Sequence, residues 1–180
     1  MNLRTVRWGV VVLVVLAGLA FLVKGANRPA DPSLKAGEPV SLPRAHFGDF
    51  PEVAFHVEGG AANAAAIRCA LLADTTARQE LGLMNRTEMG GYDGMIFAFG
   101  SDTTVSFYMK DTPLPLSIAF FDANGQFVST TDMAPCLDQA SCPLYNATRP
   151  YRYALEVPQG ALPRLGIAAG TRLVSGGPCP

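Results

Sequence analysis

Short apolar runs separated by turn residues fill the chain from about residue 64 onward. The runs are AIRCALLAD, GMIFAF, TVSFYM, LSIAFF, QFVSTT, YRYALEV and TRLVS, and clusters of glycine, proline, asparagine and aspartate stand between them. Runs of this length that are rich in β-branched and aromatic residues are typical of strands. The pattern therefore predicts a mainly β domain, either a small β-sandwich or a barrel.

One segment, TTARQELGLMNR after Asp74, instead predicts a short helix. Asp74, Thr75 or Thr76 can accept a hydrogen bond from the free amides at its start, and Thr76 with Gln79 makes a capping-box pattern. Gly82 suits the end of the helix, because glycine adopts a left-handed backbone conformation at little cost.

The stretch SFYMKDTPLPLSIAFFDANGQF predicts two strands joined at a proline-rich corner. In the first, Val105, Phe107 and Met109 alternate with Ser106, Tyr108 and Lys110, so we expect the first three in the core and Lys110 on the opposite face. The second, LSIAFF, is apolar on both faces, which predicts a central or covered strand. Asn124-Gly125 then predicts a hairpin turn, because these residues tolerate positive φ angles.

The apolar run from Trp8 to Val23, with arginines before it and Lys24 after it, predicts an export signal or a membrane anchor. Its length lies between a cleavable signal core of about 7 to 15 residues and a spanning helix of about 17 to 25. Val23 and Gly25 flank a lysine and make a poor cleavage site. We therefore expect an uncleaved signal anchor in the inner membrane, with cleavage and secretion as the alternative.

Three regions follow from these patterns. Residues 1–25 are predicted to be a cytoplasmic tip and signal anchor, and residues 61–180 a β domain in the periplasm or extracellular space. Residues 26–60 carry five prolines and little apolar periodicity, so they predict a spacer. The run from Val53 to Val57 could form an edge strand.

Composition and charge narrow the function classes. Hydrophobic residues make up 49% of the chain, charged residues 16%, and the formal net charge is -1. No basic surface therefore indicates nucleic-acid binding. Both histidines, His46 and His56, fall in the predicted spacer, which excludes a Ser-His-Asp triad or a histidine zinc site from the β domain unless the spacer folds back.

Four cysteines, Cys69, Cys136, Cys142 and Cys179, follow the predicted anchor. An even number in an exported domain predicts two disulfides, for which three connectivities are possible. Cys136 and Cys142 share the short loop CLDQASC and are the natural pair, which would leave Cys69 to join Cys179. None of the spacings is C-x-x-C, so we expect structural disulfides rather than a redox pair.

Several motifs occur in an order that resembles a known family. LGLMNR, DGMIFAF, VSFYMKDTPLPLSIAFFDANGQFV, APC with CPLY, and YALEVPQG are similar to the bacterial and archaeal domain of unknown function 192 family, also called the uncharacterised ACR family. The resemblance covers about residues 69–175. It implies a small, mainly β fold with one short helix, often behind an export signal, and it implies no established activity. Arg86, Met109, Lys110 and Thr112 occupy motif positions.

The segment Lys110-Asp111-Thr112 is the strongest candidate for a ligand-binding site, with Arg86 as a second cation. A lysine can bind an anionic ligand, or act as a nucleophile in a concave site. The structural alternative is a strand end, where Asp111 and Thr112 satisfy free backbone groups and the following prolines set an extended turn. No general base accompanies the lysine by spacing, so we assign no catalytic residue.

No metal or cofactor is predicted. Five of the six methionines lie between residues 84 and 133, but without a dense M-x-x-M cluster they indicate core packing rather than copper binding. The DANG fragment lacks the remaining ligands of a calcium loop. Carboxylates, Glu156 among them, occur singly.

These features predict a binding or accessory module. We expect it to recognise a small anionic ligand or an envelope partner through the side that carries Arg86 and Lys110. Two alternatives stay open: an enzyme of unknown reaction with Lys110 in a concave site, and an envelope protein that makes protein contacts only. A cavity containing Lys110 would favour a ligand or a reaction, and a convex surface would favour protein contact.

Overall fold

Seven strands form the domain. The computed structural model describes residues 43–60, 66–137 and 140–180, which contain β1 (Glu52–Glu58), β2 (Arg68–Ala73), β3 (Gly94–Thr103), β4 (Leu116–Phe121), β5 (Phe127–Met133), β6 (Tyr151–Pro158) and β7 (Arg172–Ser175). One short helix, α1 (Thr76–Leu81), follows β2, and a turn of 3-10 helix (Leu162–Leu165) follows β6. The predicted mainly β fold is confirmed.

The predicted anchor, from Trp8 to Val23, lies outside the described residues. Among the residues that the structure describes, none of the helices has the length and apolar character needed to cross a membrane.

All seven strands belong to one sheet in the order β5-β4-β6-β3-β2-β1-β7. Every neighbouring pair is antiparallel except β2 and β3, whose parallel pairing needs a crossover connection, and that connection carries α1. The amide of Phe127 donates to the carbonyl of Thr171 (2.9 Å), and the amide of Leu173 donates to that of Gly125 (2.8 Å). The two ends of the sheet therefore meet, and the sheet curls into a half-barrel instead of forming a two-sheet sandwich.

Strand β1 lies between β2 and β7, so the prediction of an edge strand was wrong. Its side chains Val53, Phe55 and Val57 are buried in the sheet. The prolines around this segment suggested a spacer. Its alternating apolar residues instead form a strand inside the sheet, because burying them in the core is favourable. The folded domain thus includes residues before 61.

Each face of the sheet carries its own buried cluster. One face, called here the front face, buries Leu71, Met95, Phe97, Ile118 and Phe120, among others. The back face buries Phe55, Ile96, Phe121, Leu155 and Val157, with the 3-10 turn packed against it. Strand β4 pairs with β5 and β6 and all of its residues are buried, which confirms a central strand covered on both faces.

The segment 104–109 is not a strand, contrary to the prediction. Strand β3 ends at Thr103, and the residues after it make only isolated backbone pairs, including Phe107 with Tyr145 and Lys110 with Cys136. Val105, predicted to lie in the core, is 55% exposed, whereas the predicted alternation holds from Phe107, which is buried, to Lys110, which is exposed. The backbone partners are loop residues, which no periodic pattern marks.

Two disulfides, Cys69–Cys179 and Cys136–Cys142, join the pairs that the spacing favoured. The predicted hairpin turn is also present between β4 and β5, where Gly125 has φ 76°. A Cβ atom at Gly125 would collide with the carbonyl of Leu173, so glycine is required there by both the backbone angle and the close approach.

Candidate functional site

Helix α1 is fixed to the sheet by a side chain. Its N-cap is Thr75, whose hydroxyl accepts a hydrogen bond from the amide of Arg78 (3.4 Å). Gln79 does not complete the predicted capping box. Instead, its side-chain amide donates to the carbonyls of Ala98 (2.7 Å) and Ala73 (3.4 Å). Gln79 thereby ties the helix to β3 and to the end of β2.

A cavity of about 360 Å³ opens between α1, the loop after it, β3 and the segment 105–109. Its buried apolar lining consists of Leu83, Phe97, Phe107, Met109 and Leu116. Leu81, Val105 and Tyr108 also line the cavity and are exposed, so the cavity reaches the surface at these three side chains. Its size is within the range of small-molecule sites.

Glu156 is a buried carboxyl group in this cavity, with only 4% of the residue exposed. It lies in β6 opposite Met95 of β3 and Ile118 of β4, which are fully buried. Directly opposed residues of neighbouring strands project to the same face, so Glu156 lies on the apolar front face.

Within the described part of the chain, no side chain donates a hydrogen bond to the Glu156 carboxyl group or forms an ion pair with it. Burial raises the pKa of Glu156 to about 8, because the charged form loses its hydration without gaining a compensating contact. The group is therefore mostly neutral at pH 7.

Three other polar side chains that line the cavity donate their hydrogens to acceptors within the protein. The Thr112 hydroxyl donates to the carbonyl of Lys110 (3.1 Å), and the Ser106 hydroxyl donates to Oδ1 of Asn146 (2.6 Å). The Gln79 amide donates to two backbone carbonyls, as described above. These three side chains therefore present acceptor atoms to the cavity.

The predicted corner at Lys110-Asp111-Thr112 contributes one residue to the cavity lining. Asp111 has φ 53°, its amide donates to the carbonyl of Cys136 (3.0 Å), and its carbonyl accepts from the amide of Asn85 (2.7 Å). The corner thus connects the loop after α1 to the disulfide loop. Thr112 is buried and lines the cavity, whereas Lys110 is exposed and lies outside the cavity lining.

Arg86 lies over an aromatic ring. Its guanidinium carbon is 4.4 Å from the ring centroid of Phe47, a geometry suited to a cation–π contact. Of the four predicted ligand-binding residues, Arg86, Lys110, Asp111 and Thr112, only Thr112 lines the cavity. Their role in ligand binding stays a prediction.

Three potential metal ligands, Glu52, Cys69 and Cys179, lie close together. The two cysteines form a disulfide and therefore offer no thiolate. Glu52 accepts a hydrogen bond from the Tyr92 hydroxyl (2.6 Å) and pairs with Arg44 (3.2 Å), and these contacts lower the pKa of Glu52. Burial and the Glu52 carboxylate raise the pKa of Tyr92 to about 12. This cluster holds the segment before β1 against the domain.

Sequence reasoning did not single out Glu156 or Gln79 as site residues. A signal for Glu156 exists in YALEV, where a glutamate interrupts an apolar run. Whether this glutamate is buried depends on the strand order. Its carboxyl group is forced into the core only if its strand has a covered strand on each side. Gln79 gave no signal, since its partners are backbone carbonyls.

The fold and the site define a class: a mainly β domain with one half-barrel sheet and a small apolar cavity beside a short helix. Residues 57–175 match the DUF192 family, described as Uncharacterized ACR. The chain belongs to this family, which is the one that its motifs resemble.

Two solved structures are similar to this chain. One is from Sinorhizobium meliloti 1021, described as a proposed transcription regulator, with 26% identity and a TM-score of 0.61 over 72% of this chain and 98% of that one. The other, a protein of unknown function from Novosphingobium aromaticivorans DSM 12444, has 28% identity and a TM-score of 0.57 over 69% of this chain and 84% of that one. No curated protein matches the chain.

Proposed function

We propose that the domain is a binding module that holds a small, largely apolar molecule in the cavity beside α1. The observation that carries this proposal is a cavity of about 360 Å³ with apolar walls and a buried carboxyl group, Glu156, to which none of the described side chains donates a hydrogen bond. Burying a polar group without a partner costs about 1–3 kcal/mol. A group retained at that cost in an open apolar cavity is typical of ligand recognition, because a ligand can supply the missing partner.

We further propose that the domain works outside the cytoplasm, held at the inner membrane by the segment from Trp8 to Val23. Two observations support this location. All four cysteines form disulfides, which are rare in reducing compartments. The N-terminal run is also apolar enough for a signal anchor.

Catalysis by Lys110 has less support. The lysine is exposed outside the cavity lining, and within the described residues no general base or nucleophile pairs with it. Arg86 and Lys110 carry the charge that suits an anionic ligand, but neither residue lines the cavity beside α1, which would exclude water around a ligand.

Contact with an envelope protein is the second candidate function. Leu137, inside the loop closed by the Cys136–Cys142 bridge, and Leu144, two residues after that loop, are 47% and 64% exposed. Exposed apolar side chains that form a patch are typical of interaction surfaces. Cross-linking in the native host tests this function, and Leu144→Asp should abolish a specific cross-linked product if the loop is the contact.

The neutral apolar dye N-phenyl-1-naphthylamine tests the binding function directly. We expect its fluorescence to rise when it enters the cavity of the soluble domain. Met84 lines the cavity and Leu144 does not, so Met84→Trp should block binding while Leu144→Trp, which adds the same ring elsewhere, should leave it intact. Absence of dye binding to the wild type, or full binding by Met84→Trp, would contradict the proposal.

A further inference from the structure

Resting on the proposed binding function, we propose that the ligand is an organic ammonium ion: an amine with an apolar chain or ring, whose charged nitrogen binds the Glu156 carboxylate. The apolar part would occupy the cavity between α1 and β3. Four properties of the cavity support this chemistry: its charge, its hydrogen-bonding groups, its aromatic rings and its opening to the surface.

The ionisable side chains of the cavity favour a cation. Glu156 lies in its interior and Glu80 lines its exposed part, while none of the described residues that line it is a lysine, arginine or histidine. A bound anion would therefore meet carboxyl groups without a compensating positive charge. A bound cation would find an opposite charge in an apolar environment, where such a contact is much stronger than in water.

The hydrogen-bonding groups favour a donor. The hydrogens of Gln79, Ser106 and Thr112 are used by protein acceptors, so these side chains offer oxygen atoms to a ligand. The two other hydroxyls of the lining belong to Thr76 and Tyr108, which are exposed. An ammonium group has up to three donors and no acceptor, so it matches this set of oxygens better than a carboxylate or a ketone does.

Aromatic rings supply a second attraction for a positive charge. Phe97, Phe99, Phe107 and Tyr108 all line the cavity, and the ring of Phe107 lies edge-on to that of Phe97 with centroids 4.9 Å apart. A cation near the face of an aromatic ring is attracted by the negative charge of the ring face, and more strongly when the cation is desolvated. Aromatic side chains around an acidic group are typical of ammonium recognition.

The exposed apolar side chains indicate where the rest of the ligand extends. Leu81, Val105 and Tyr108 surround the surface opening, with exposed fractions of 48%, 55% and 42%. An apolar chain longer than the cavity could pack against them. A compact polar cation such as ammonium itself would leave these contacts unused, so we expect affinity to rise with chain length.

Binding is coupled to a proton. At pH 7 the free carboxyl group carries its proton, so forming the ion pair releases one: R-NH3+ plus Glu156-COOH gives R-NH3+ bound to Glu156-COO⁻ and one H⁺ in solution. Because burial raises the pKa of Glu156 to about 8, the association constant for the amine should rise about 50-fold between pH 6 and pH 8. A neutral ligand requires no such release.

Isothermal titration calorimetry with three six-carbon probes tests the proposal: hexylamine, hexan-1-ol and hexanoate. For the wild-type domain at pH 8 we expect hexylamine to bind at least 10-fold more tightly than hexan-1-ol, and hexanoate to bind most weakly. Hexylamine affinity should fall about 50-fold at pH 6, where its binding releases one proton to the buffer, whereas hexan-1-ol affinity should not fall. Equal pH dependence for both probes would overturn the proposal.

Two variants identify the group responsible. Glu156→Gln keeps the size of the side chain, and we expect it to reduce hexylamine affinity at pH 8 to that of hexan-1-ol and to remove the pH dependence. Glu88→Gln, the matched control, removes an exposed carboxylate outside the cavity lining and should change hexylamine affinity less than 3-fold. Binding of the naphthylamine dye to both variants would verify that the cavity is intact.

The outcomes separate the ligand chemistry from the binding function. If the dye and hexan-1-ol bind but hexylamine binds no better, the ammonium proposal is wrong and the apolar binding function stands. If neither the dye nor any probe binds, the binding function itself is wrong. Hexylamine binding that persists unchanged in Glu156→Gln would place the ammonium elsewhere and would overturn the proposal.

Discussion

Replacing Glu156 by glutamine should stabilise the domain at neutral pH. In the unfolded chain the carboxyl group has an ordinary pKa of 4.5, whereas in the folded domain burial raises its pKa to about 8. Between these values the folded state holds a proton that the unfolded state releases. Because the folded state binds more protons, the free energy of unfolding falls as the pH rises through this window.

The size of the effect follows from the pKa difference. At pH 7, which is roughly 2.5 units above the pKa in the unfolded chain, ionisation of this group favours unfolding by about 3 kcal/mol. Above pH 8 the full difference between the two pKa values corresponds to about 5 kcal/mol. A neutral carboxyl group and a carboxamide are similar in size and polarity. Glu156→Gln should therefore match the wild type near pH 4 and exceed its stability by about 3 kcal/mol at pH 7.

Urea unfolding with both disulfides intact, followed by far-UV circular dichroism, measures this difference from pH 4 to pH 9. Glu80→Gln is the matched control, because Glu80 is exposed and its replacement should change the free energy of unfolding by less than about 0.5 kcal/mol at every pH. Parallel curves for wild type and Glu156→Gln between pH 4.5 and pH 8 would refute a buried, unpartnered carboxyl group.

Three further predictions concern the structure around the cavity, and urea unfolding measures each. Asp111→Gly should change stability by less than about 1 kcal/mol, whereas Asp111→Val should cost about 2 kcal/mol, because φ is positive there; equal losses would contradict the corner. Ser117→Ala should cost about 1–3 kcal/mol, and less below pH 4, because its hydroxyl donates to Asp132 (2.5 Å) and lowers the pKa of that carboxyl group; a cost independent of pH would contradict this. Replacing Cys69 and its partner by serine should cost about 5 kcal/mol and replacing Cys136 and its partner about 2 kcal/mol, because the longer loop restricts the unfolded chain more; the reverse order would contradict the loop argument.

The sequence predicts those elements whose signal is local. The strand LSIAFF, the cap of α1 and the Asn124-Gly125 turn each depend on a few neighbouring residues, and all three are present. A strand was wrongly predicted for the segment 104–109, because extended backbone with loop partners can alternate in burial as a strand does. The place of β1 inside the sheet likewise depends on β7, which lies more than a hundred residues away.

The site could be predicted only in part. The corner at Asp111 and the burial of Thr112 follow from the proline-rich pattern, but the pattern also drew attention to Lys110, which is exposed. Glu156 is a candidate site residue because the two neighbouring strands place Met95 and Ile118 beside it. Such a juxtaposition arises from strand order, which a single sequence does not specify.

Binding of a cation in the cavity by the buried Glu156 carboxyl group is the central proposal. Carbon-13 NMR of the labelled Glu156 carboxyl group, titrated with and without saturating hexylamine, tests it most directly. We predict a pKa near 8 for the free domain and a pKa below about 5 with hexylamine, because the ammonium stabilises the carboxylate. A pKa near 4.5 in the free domain, or no change with hexylamine, would contradict the claim.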